Sequence, residues 1–339
     1  MKYRIGIIGL GVMGKRHCEA VRNIPEVELT AVCDLVKDNV SEVEKKYNTA
    51  RGYINYNNLF KKEKIDLLIV ATNGPFHAEI VKYAAKQRVK KILCEKPMAT
   101  SLKLANEMIN ICKDYNVDLA VNYHLRLLGS YIKLKQMIHD NIIGRISHIS
   151  FELGGGQFAS NGGHFIDLAR FLTGKEIISV LGFIDKKGND NPRGQSYSDP
   201  GALGIIFLEG NIRVHFDMFE DYGIPSLVKI VGEFGRIIVD ERNNSWEISA
   251  RSKQDRHLPL TRRPSLIKIP FNGEKMDIVN STKRVIEELI SESSVSCSGH
   301  DGLKTLQAIV AVYYSNMAGN RVIHLAEENP LFDHEFSFA

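Results

Sequence analysis

Apolar and polar positions follow two different rhythms along this chain, and the change falls near residue 125. Before it, short and almost unbroken apolar runs are separated by amphipathic stretches. Tyr3 to Ile8, Glu28 to Cys33, Ile65 to Ala71, Lys91 to Cys94 and Asp118 to Asn122 predict strands covered on both faces, with a shorter one near Gly52-Tyr53. Lys15 to Asn23, Val36 to Tyr47, Asn57 to Lys62, a stretch after Pro75 and Leu102 to Tyr115 predict the helices between them. Strands and helices alternating at this spacing specify a doubly wound parallel sheet. After a helix over Leu127 to His139 and a turn at Asn141 to Arg145, strand patterns dominate. They cover Ile146 to Leu153, Ile178 to Ile184, Ala202 to Leu208, Asn211 to Met218, Val228 to Val231, Arg236 to Asp240 and Trp246 to Ala250. Glu209-Gly210 and Phe234-Gly235 read as hairpin turns.

The fold class expected is therefore α/β, with an N-terminal Rossmann domain over 1–124 and a C-terminal α/β domain with a large, mostly antiparallel open sheet over 125–339. Helices around His164 to Leu172 and Met276 to Glu292 are available to cover one face of that second sheet, and Gly302 to Met317 is a third. Asp185 to Asp199 and Ser252 to Ser265 are polar and read as solvated loops or hairpins. A lesser reading makes one of them a lid or a contact for a charged substrate.

The first apolar run leads straight into Gly9-x-Gly11-x-x-Gly14 and a helix, which is the order a dinucleotide-binding turn needs. The first glycine makes the tight turn, the second lets the backbone approach a pyrophosphate and the third lets helix pack on strand. The helix N-terminus then presents free N–H groups to the phosphates. About twenty residues further on, the next strand ends in Asp34, whose carboxylate can accept from both adenosine ribose hydroxyls and would repel a 2′-phosphate. No arginine follows Asp34, so NAD is favoured over NADP, although Lys37 could still serve a phosphate.

Bulk properties narrow the picture only a little. With 339 residues, 44% hydrophobic and 25% charged, the chain is of ordinary globular composition and long enough for two domains. A net charge of +4 points to neither nucleic acid nor membrane as a partner. The five cysteines lack CxxC spacing and read as reduced, structural thiols. The apolar start is broken by glycines and runs into Lys15-Arg16-His17, unlike a secretory leader, so a cytoplasmic location is expected. Neither a metal-ligand spacing nor a nucleophile elbow is visible in the sequence.

Two further motifs carry chemistry. Glu95-Lys96-Pro97 closes a sheet strand at the end where ligands bind, so the lysine can hydrogen-bond or protonate an oxygen that becomes a carbonyl. Gly154-Gly155-Gly156 leads to Ser160, His164 and Asp167 at the opening of a helix. The fingerprint, the E-K-P and this glycine-rich opening, in that order, resemble the Gfo/Idh/MocA oxidoreductases. Ile142-Ile-Gly-Arg145 and Tyr314-Ser315-x-x-x-Gly319-x-x-Val322 extend the resemblance over nearly the whole chain.

The resemblance implies that Lys96 and His164 are the catalytic pair. It places the cofactor on Gly9, Gly11, Val12, Met13 and Gly14, on Asp34 for the adenosine ribose and Glu95 for the nicotinamide ribose, with Thr72, Asn73 and His77 along the cleft. Substrate would meet Lys96, Tyr123, Ser160, His164 and Asp167. Asp167 is equally an internal hydrogen-bond partner, and Arg126 equally a structural ion pair. His17 matches a position often histidine in the family, with a place on the helix surface as the other reading.

Ser160 stands where the family has an aspartate, four residues before the histidine and so on the same helix face. If the helix begins only at Gly162-Gly163, Ser160 or Asn161 is its cap instead. In either case serine lacks the charge that would raise the pKa of Lys96 or His164. The implied activity is reversible NAD-dependent hydride transfer at a secondary alcohol of a sugar, cyclitol or nucleotide-sugar, in a homodimer or homotetramer. A non-redox dinucleotide sensor or partner subunit, and a glycosidase that keeps NAD as a permanent cofactor and cleaves a glycosidic bond through transient oxidation, are the alternatives.

Overall fold

The computed structural model describes residues 2–48, 50–185, 191, 193–221, 223, 226–262, 265–291 and 294–338. By packing, the chain divides into two compact units, one of Met1–Leu127, Asp277–Leu306 and Leu331–Ala339, the other of Leu128–Met276 and Gln307–Pro330.

In the first unit the strands are β1 (Tyr3–Ile8), β2 (Val27–Cys33), β3 (Arg51–Tyr53), β4 (Leu67–Val70), β5 (Lys91–Cys94) and β6 (Asp118–Val121). Among the described residues they form a six-stranded sheet in the order β3-β2-β1-β4-β5-β6, with every pairing parallel. Helices α1 (Val12–Arg22), α2 (Lys37–Lys46), α3 (Tyr56–Lys62), α4 (His77–Lys86) and α5 (Leu102–Asp114) make the connections. All four residues of β4 are buried, as two-sided cover requires of a central parallel strand. The order reverses between β1 and β4, and such sheets bind ligands outside the carboxyl ends of the strands at that point.

The second unit holds α6 (Gly129–His139), β7 (Ile146–Glu152), α7 (Gly163–Thr173), β8 (Ile177–Ile184), β9 (Ala202–Leu208), β10 (Ile212–Asp217), β11 (Leu227–Gly232), β12 (Gly235–Asp240), β13 (Ser245–Ala250), β14 (Ile267–Ile269) and β15 (Ile323–His324). They form, among the described residues, a nine-stranded sheet in the order β14-β13-β12-β11-β7-β10-β9-β8-β15. β7 and β10 pair in parallel because α7 and the β8–β9 hairpin lie between them in the chain; the other pairings are antiparallel. β14 and β15, of three and two residues, are too short for a period-2 pattern to reveal. Phe165 of α7 stacks on Phe151 of β7 at 5.1 Å. On the same sheet, Gly182 of β8 is the floor for Val312 of the last long helix, α9 (Gly299–Met317), preceded in the chain by α8 (Ile278–Ile290).

The helix expected over Met276 to Glu292 as cover for the second sheet does other work. It is α8, and Val285, Ile286 and Leu289 along one stripe enter the first unit's core with Cys18 and Val21 of α1 and Leu93 of β5. Arg284 fixes it by donating to the Leu127 carbonyl at 2.7 Å. Amphipathicity revealed that α8 has a buried face, but not which sheet lies under it. In the two polar stretches, residues 186–190, 192, 263 and 264 lie outside the described residues. Short 3-10 turns occupy Lys253–Asp255 and Leu260–Arg262.

Among the described residues no helix is long and apolar enough to cross a membrane, and no group of three or more His, Cys, Asp or Glu could hold a metal ion. All five cysteines are buried and none forms a disulfide among the described residues, and burial pushes the thiols of Cys18, Cys33 and Cys112 up to about 12. Cys18, Cys33 and Cys112 are therefore unreactive packing groups.

Candidate active site

At the end of β1 the chain turns at once into α1, and its three glycines meet different demands. Gly9 has φ +94°, and a Cβ there would lie 2.4 Å from the carbonyl oxygen of Ala71, just past β4. A Cβ on Gly14 would fall 1.9 Å from the Gly9 carbonyl oxygen, so only glycine lets the helix leave this turn. A Cβ on Gly11 would meet no protein atom within 4 Å. Gly11 caps α1 without a side-chain bond, and no acidic residue stands in the first turn, where Val12 is exposed and Met13 half-buried. The first-turn N–H groups and their partial positive charge are thus left for a ligand.

A cleft of about 450 Å³ opens beside this turn, with Gly9, Gly11, Asp34, Thr72, Asn73 and Phe76 in its wall. Asp34 accepts from Leu10 N through Oδ2 at 2.6 Å and from Val36 N through Oδ1 at 2.8 Å. A carboxylate has about four acceptor positions, so each oxygen keeps capacity for a hydroxyl. Thr72 Oγ1 is buried and has no hydrogen-bond partner among the described residues. A buried hydroxyl without a partner is costly unless a bound group supplies one. The open glycine, the uncapped helix, the strand-end carboxylate and this hydroxyl together fit a dinucleotide. Sequence reasoning passed over Leu35 and Phe76, 83% and 46% exposed at the cleft; for Leu35 the signal was an apolar residue directly after the strand-end Asp34, and Phe76 lies in a 3-10 turn six residues beyond β4.

Beyond β5 lies a buried polar cluster. Glu95 Oε1 accepts from His17 Nε2 and from Asn122 Nδ2, each at 2.7 Å, and Oε2 accepts from Lys96 N at 3.3 Å. Burial alone would raise the Glu95 carboxyl; the His17 bond and charge, the Asn122 amide and the Lys96 ammonium outweigh it and hold it at about 2. His17 is fully buried, so the surface reading of that residue does not hold, because its ring is drawn inward to Glu95. Burial, reinforced by Lys96, pushes His124 down to about 4, leaving a neutral imidazole at pH 7.

Lys96 itself is half-buried, and the Lys96–Pro97 peptide is cis. His77 is buried with Nδ1 2.9 Å from the Pro97 carbonyl and Nε2 2.9 Å from the Thr72 carbonyl, tying the ends of β4 and β5 together. Tyr123 is fully buried. Arg126 donates to the Ser296 carbonyl and lies 3.7 Å from Asp301, which makes it a structural ion pair.

In the second unit Gly155, Gly156 and Gln157 all have φ between +60° and +91° and swing the chain into a π-helical turn, Phe158–Gly162, that continues as α7. The helix therefore starts before the glycine pair, and neither Ser160 nor Asn161 is its cap. Gly162 is there for packing, since a Cβ would lie 2.7 Å from the Phe158 ring and 2.9 Å from Met218 Sδ. The capping carboxylate comes instead from Asp199, whose oxygens accept from Ala159 N at 2.7 Å and Ser160 N at 2.9 Å. Nothing in sequence spacing connects residues 160 and 199. Ser160, His164 and Asp167 are all buried along this helix, and Arg193 Nη1 reaches Ser160 Oγ at 3.4 Å.

The chain matches the models of two consecutive domains, "Oxidoreductase family, NAD-binding Rossmann fold" over residues 3–123 and "Oxidoreductase family, C-terminal alpha/beta domain" over 150–324. It is 27% identical to myo-inositol 2-dehydrogenase of Thermotoga maritima over 275 residues, 75% of this chain and 80% of that one. It is 24% identical to D-apiose dehydrogenase of Paraburkholderia graminis, over 95% of this chain and 89% of that one. An oxidoreductase from Agrobacterium radiobacter, solved with NAD+, L-tartaric acid and magnesium, shares the fold with a TM-score of 0.81 at 19% identity, covering 96% of this chain and 99% of that one. With both domain models matched over most of its length, the chain belongs to the Gfo/Idh/MocA oxidoreductases, a family of enzymes with an NAD-binding Rossmann domain followed by an α/β domain.

Proposed function

We propose that this protein transfers hydride reversibly between NAD and a secondary alcohol of a sugar, cyclitol or nucleotide-linked sugar. The observation that carries this is the cleft at the β1–β4 switch point, with its open Gly11, its Asp34 carboxylate and its Thr72 hydroxyl, which has no partner among the described residues. Similarity to dehydrogenases of inositol and apiose supports the polyol class. NAD rather than NADP is favoured because Asp34 would oppose a 2′-phosphate and is followed by Leu35 and Val36 instead of a cation.

Bound NAD+ supplies the hydride acceptor. His164 takes the proton of the substrate hydroxyl as general base, and Lys96 stabilises the oxygen as negative charge builds on it. Glu95 serves the nicotinamide ribose from an orientation set by His17 and Asn122. Asp167 and Ser160 flank His164 on its helix and meet the substrate. Cofactor binding is assigned to 1–124, and substrate binding and assembly as a homodimer or homotetramer to 125–339.

The test mixes protein with NAD+ and a panel of cyclitols, sugars and nucleotide-sugars and follows absorbance of NADH. Net NADH formation is expected with at least one member. Lys96→Ala should lower kcat by about 10²- to 10⁴-fold, the range of a lost proton-transfer group, while NADH fluorescence still reports binding. Full turnover by Lys96→Ala, or bond cleavage with no net NADH, would overturn the assignment.

A further inference from the structure

We propose that Arg193 makes this enzyme selective for a sugar carrying an oxyanion, a carboxylate or a phosphate, bound beside the turn that precedes His164. The inference rests on the hydride-transfer reading above and names the substrate class within it.

The guanidinium belongs to an exposed residue and is held differently from those that lie against carboxylates. Arg4, Arg145 and Arg170 each lie against a carboxylate, of Asp66, Glu233 and Glu176 respectively. Arg193 has no carboxylate partner among the described residues, and its side chain makes a single hydrogen bond there, to the neutral hydroxyl of Ser160. A guanidinium has five N–H donors in a planar fork. Among the described residues the other four have no acceptor, and they lie in the geometry that grips a carboxylate or phosphate by two parallel bonds.

Its location ties this charge to the reacting end of the substrate. Ser160 is fully buried and one turn ahead of His164, and residues four apart share a helix face. The loop that brings Arg193 here is anchored at both ends. Asp185 N donates to Gly201 O at 2.8 Å. Gln157 N donates to Asp199 O at 3.0 Å and Phe158 N to Pro200 O at 3.1 Å, while the Asp199 carboxylate takes the N–H groups of Ala159 and Ser160.

The Asp199 carboxylate accepts one backbone N–H on each oxygen at a helix start, where the partial positive charge of the helix offsets part of its charge. Serine at position 160 is what keeps Arg193 available. A carboxylate there would pair with the guanidinium at the distance the hydroxyl now occupies, and the site would then prefer a neutral polyol.

The experiment compares kcat/KM for D-glucuronate, D-glucose 6-phosphate and UDP-glucuronate with that for D-glucose and myo-inositol, in the intact protein with saturating NAD+. At least one anionic sugar should exceed both neutral ones by about tenfold or more, and the first two arms separate carboxylate from phosphate. Arg193→Gln should cut that preference by about 10- to 100-fold, the effect of losing a charge-assisted hydrogen bond, chiefly through KM. Ser160→Asp should abolish the preference while leaving the arginine in place. Neutral substrates turned over as well as anionic ones, or a preference untouched in both variants, would overturn the inference and leave the oxidoreductase reading standing. No NADH from any member of the panel would sink both.

Discussion

Glu95 is a carboxylate taken out of water and kept charged, and that combination has a measurable consequence. Its pKa is about 2 in the folded protein against 4.5 for a free side chain. A depressed carboxyl contributes stability that is complete above the unfolded value and disappears as pH falls through the folded one. The window is therefore about pH 4.5 down to 2, and the amount is on the order of 3 kcal/mol. Glu95→Gln should lower the melting temperature at pH 7 and flatten its fall between pH 4.5 and 2 relative to the wild type. A variant whose melting curve keeps the wild-type slope through that interval would show that His17 and Asn122 do not hold the charge. The same residues mark the limit of reading a sequence at this scale. The E-K-P motif singled out Glu95, but its bonds to His17 and Asn122 span 78 and 27 positions, and no local pattern encodes them.

At the scale of elements, the glycine turn allows a sharper separation of folding from binding. Gly14 and Gly11 belong to one motif, yet a Cβ strikes backbone at the first and reaches nothing at the second. Gly14→Ala should destabilise the first unit by about 3 kcal/mol or more, because the obstructing atom is a carbonyl oxygen that cannot swing aside. Gly11→Ala should leave the melting temperature close to wild type and weaken NADH binding by roughly tenfold or more, by filling space that a pyrophosphate needs. Thermal melts beside fluorescence titration of NADH check both, and equal effects on the two measurements would refute the division of labour. This turn, the parallel strands and the order of the helices were legible because each is a local pattern of a few residues. The π-helical start at Phe158 was not, since its stability comes from Asp199 across a loop, and the Gly162-Gly163 pair pointed the other way. α8 was visible as a helix, but its destination depended on which apolar surface its stripe of Val285, Ile286 and Leu289 would meet.

The nine-stranded sheet raises the question that belongs to the whole molecule. Along β9 the even-numbered residues Ala202, Gly204, Ile206 and Leu208 are buried, while Leu203, Ile205 and Phe207 point to the other face and are only partly covered. Phe183 of β8, 40% exposed, lies opposite Leu203 in the register. Apolar side chains gathered on one sheet face favour burial against another surface, at about 25 cal/mol per Å² of apolar area removed from water. A second copy of the same face provides such a surface, and a two-fold contact between identical patches closes without leaving an open end. We therefore expect the chain, 38.1 kDa alone, to sediment at twice or four times that mass. Ile205→Glu puts a charge at the middle of β9 on that face, where a partner would have to desolvate two copies of it. It should shift the protein to monomer in analytical ultracentrifugation while NADH titration stays as in the wild type, because Ile205 lies outside the first unit. A wild-type protein that sediments as a monomer at micromolar concentration would remove the sheet face from consideration as an assembly surface.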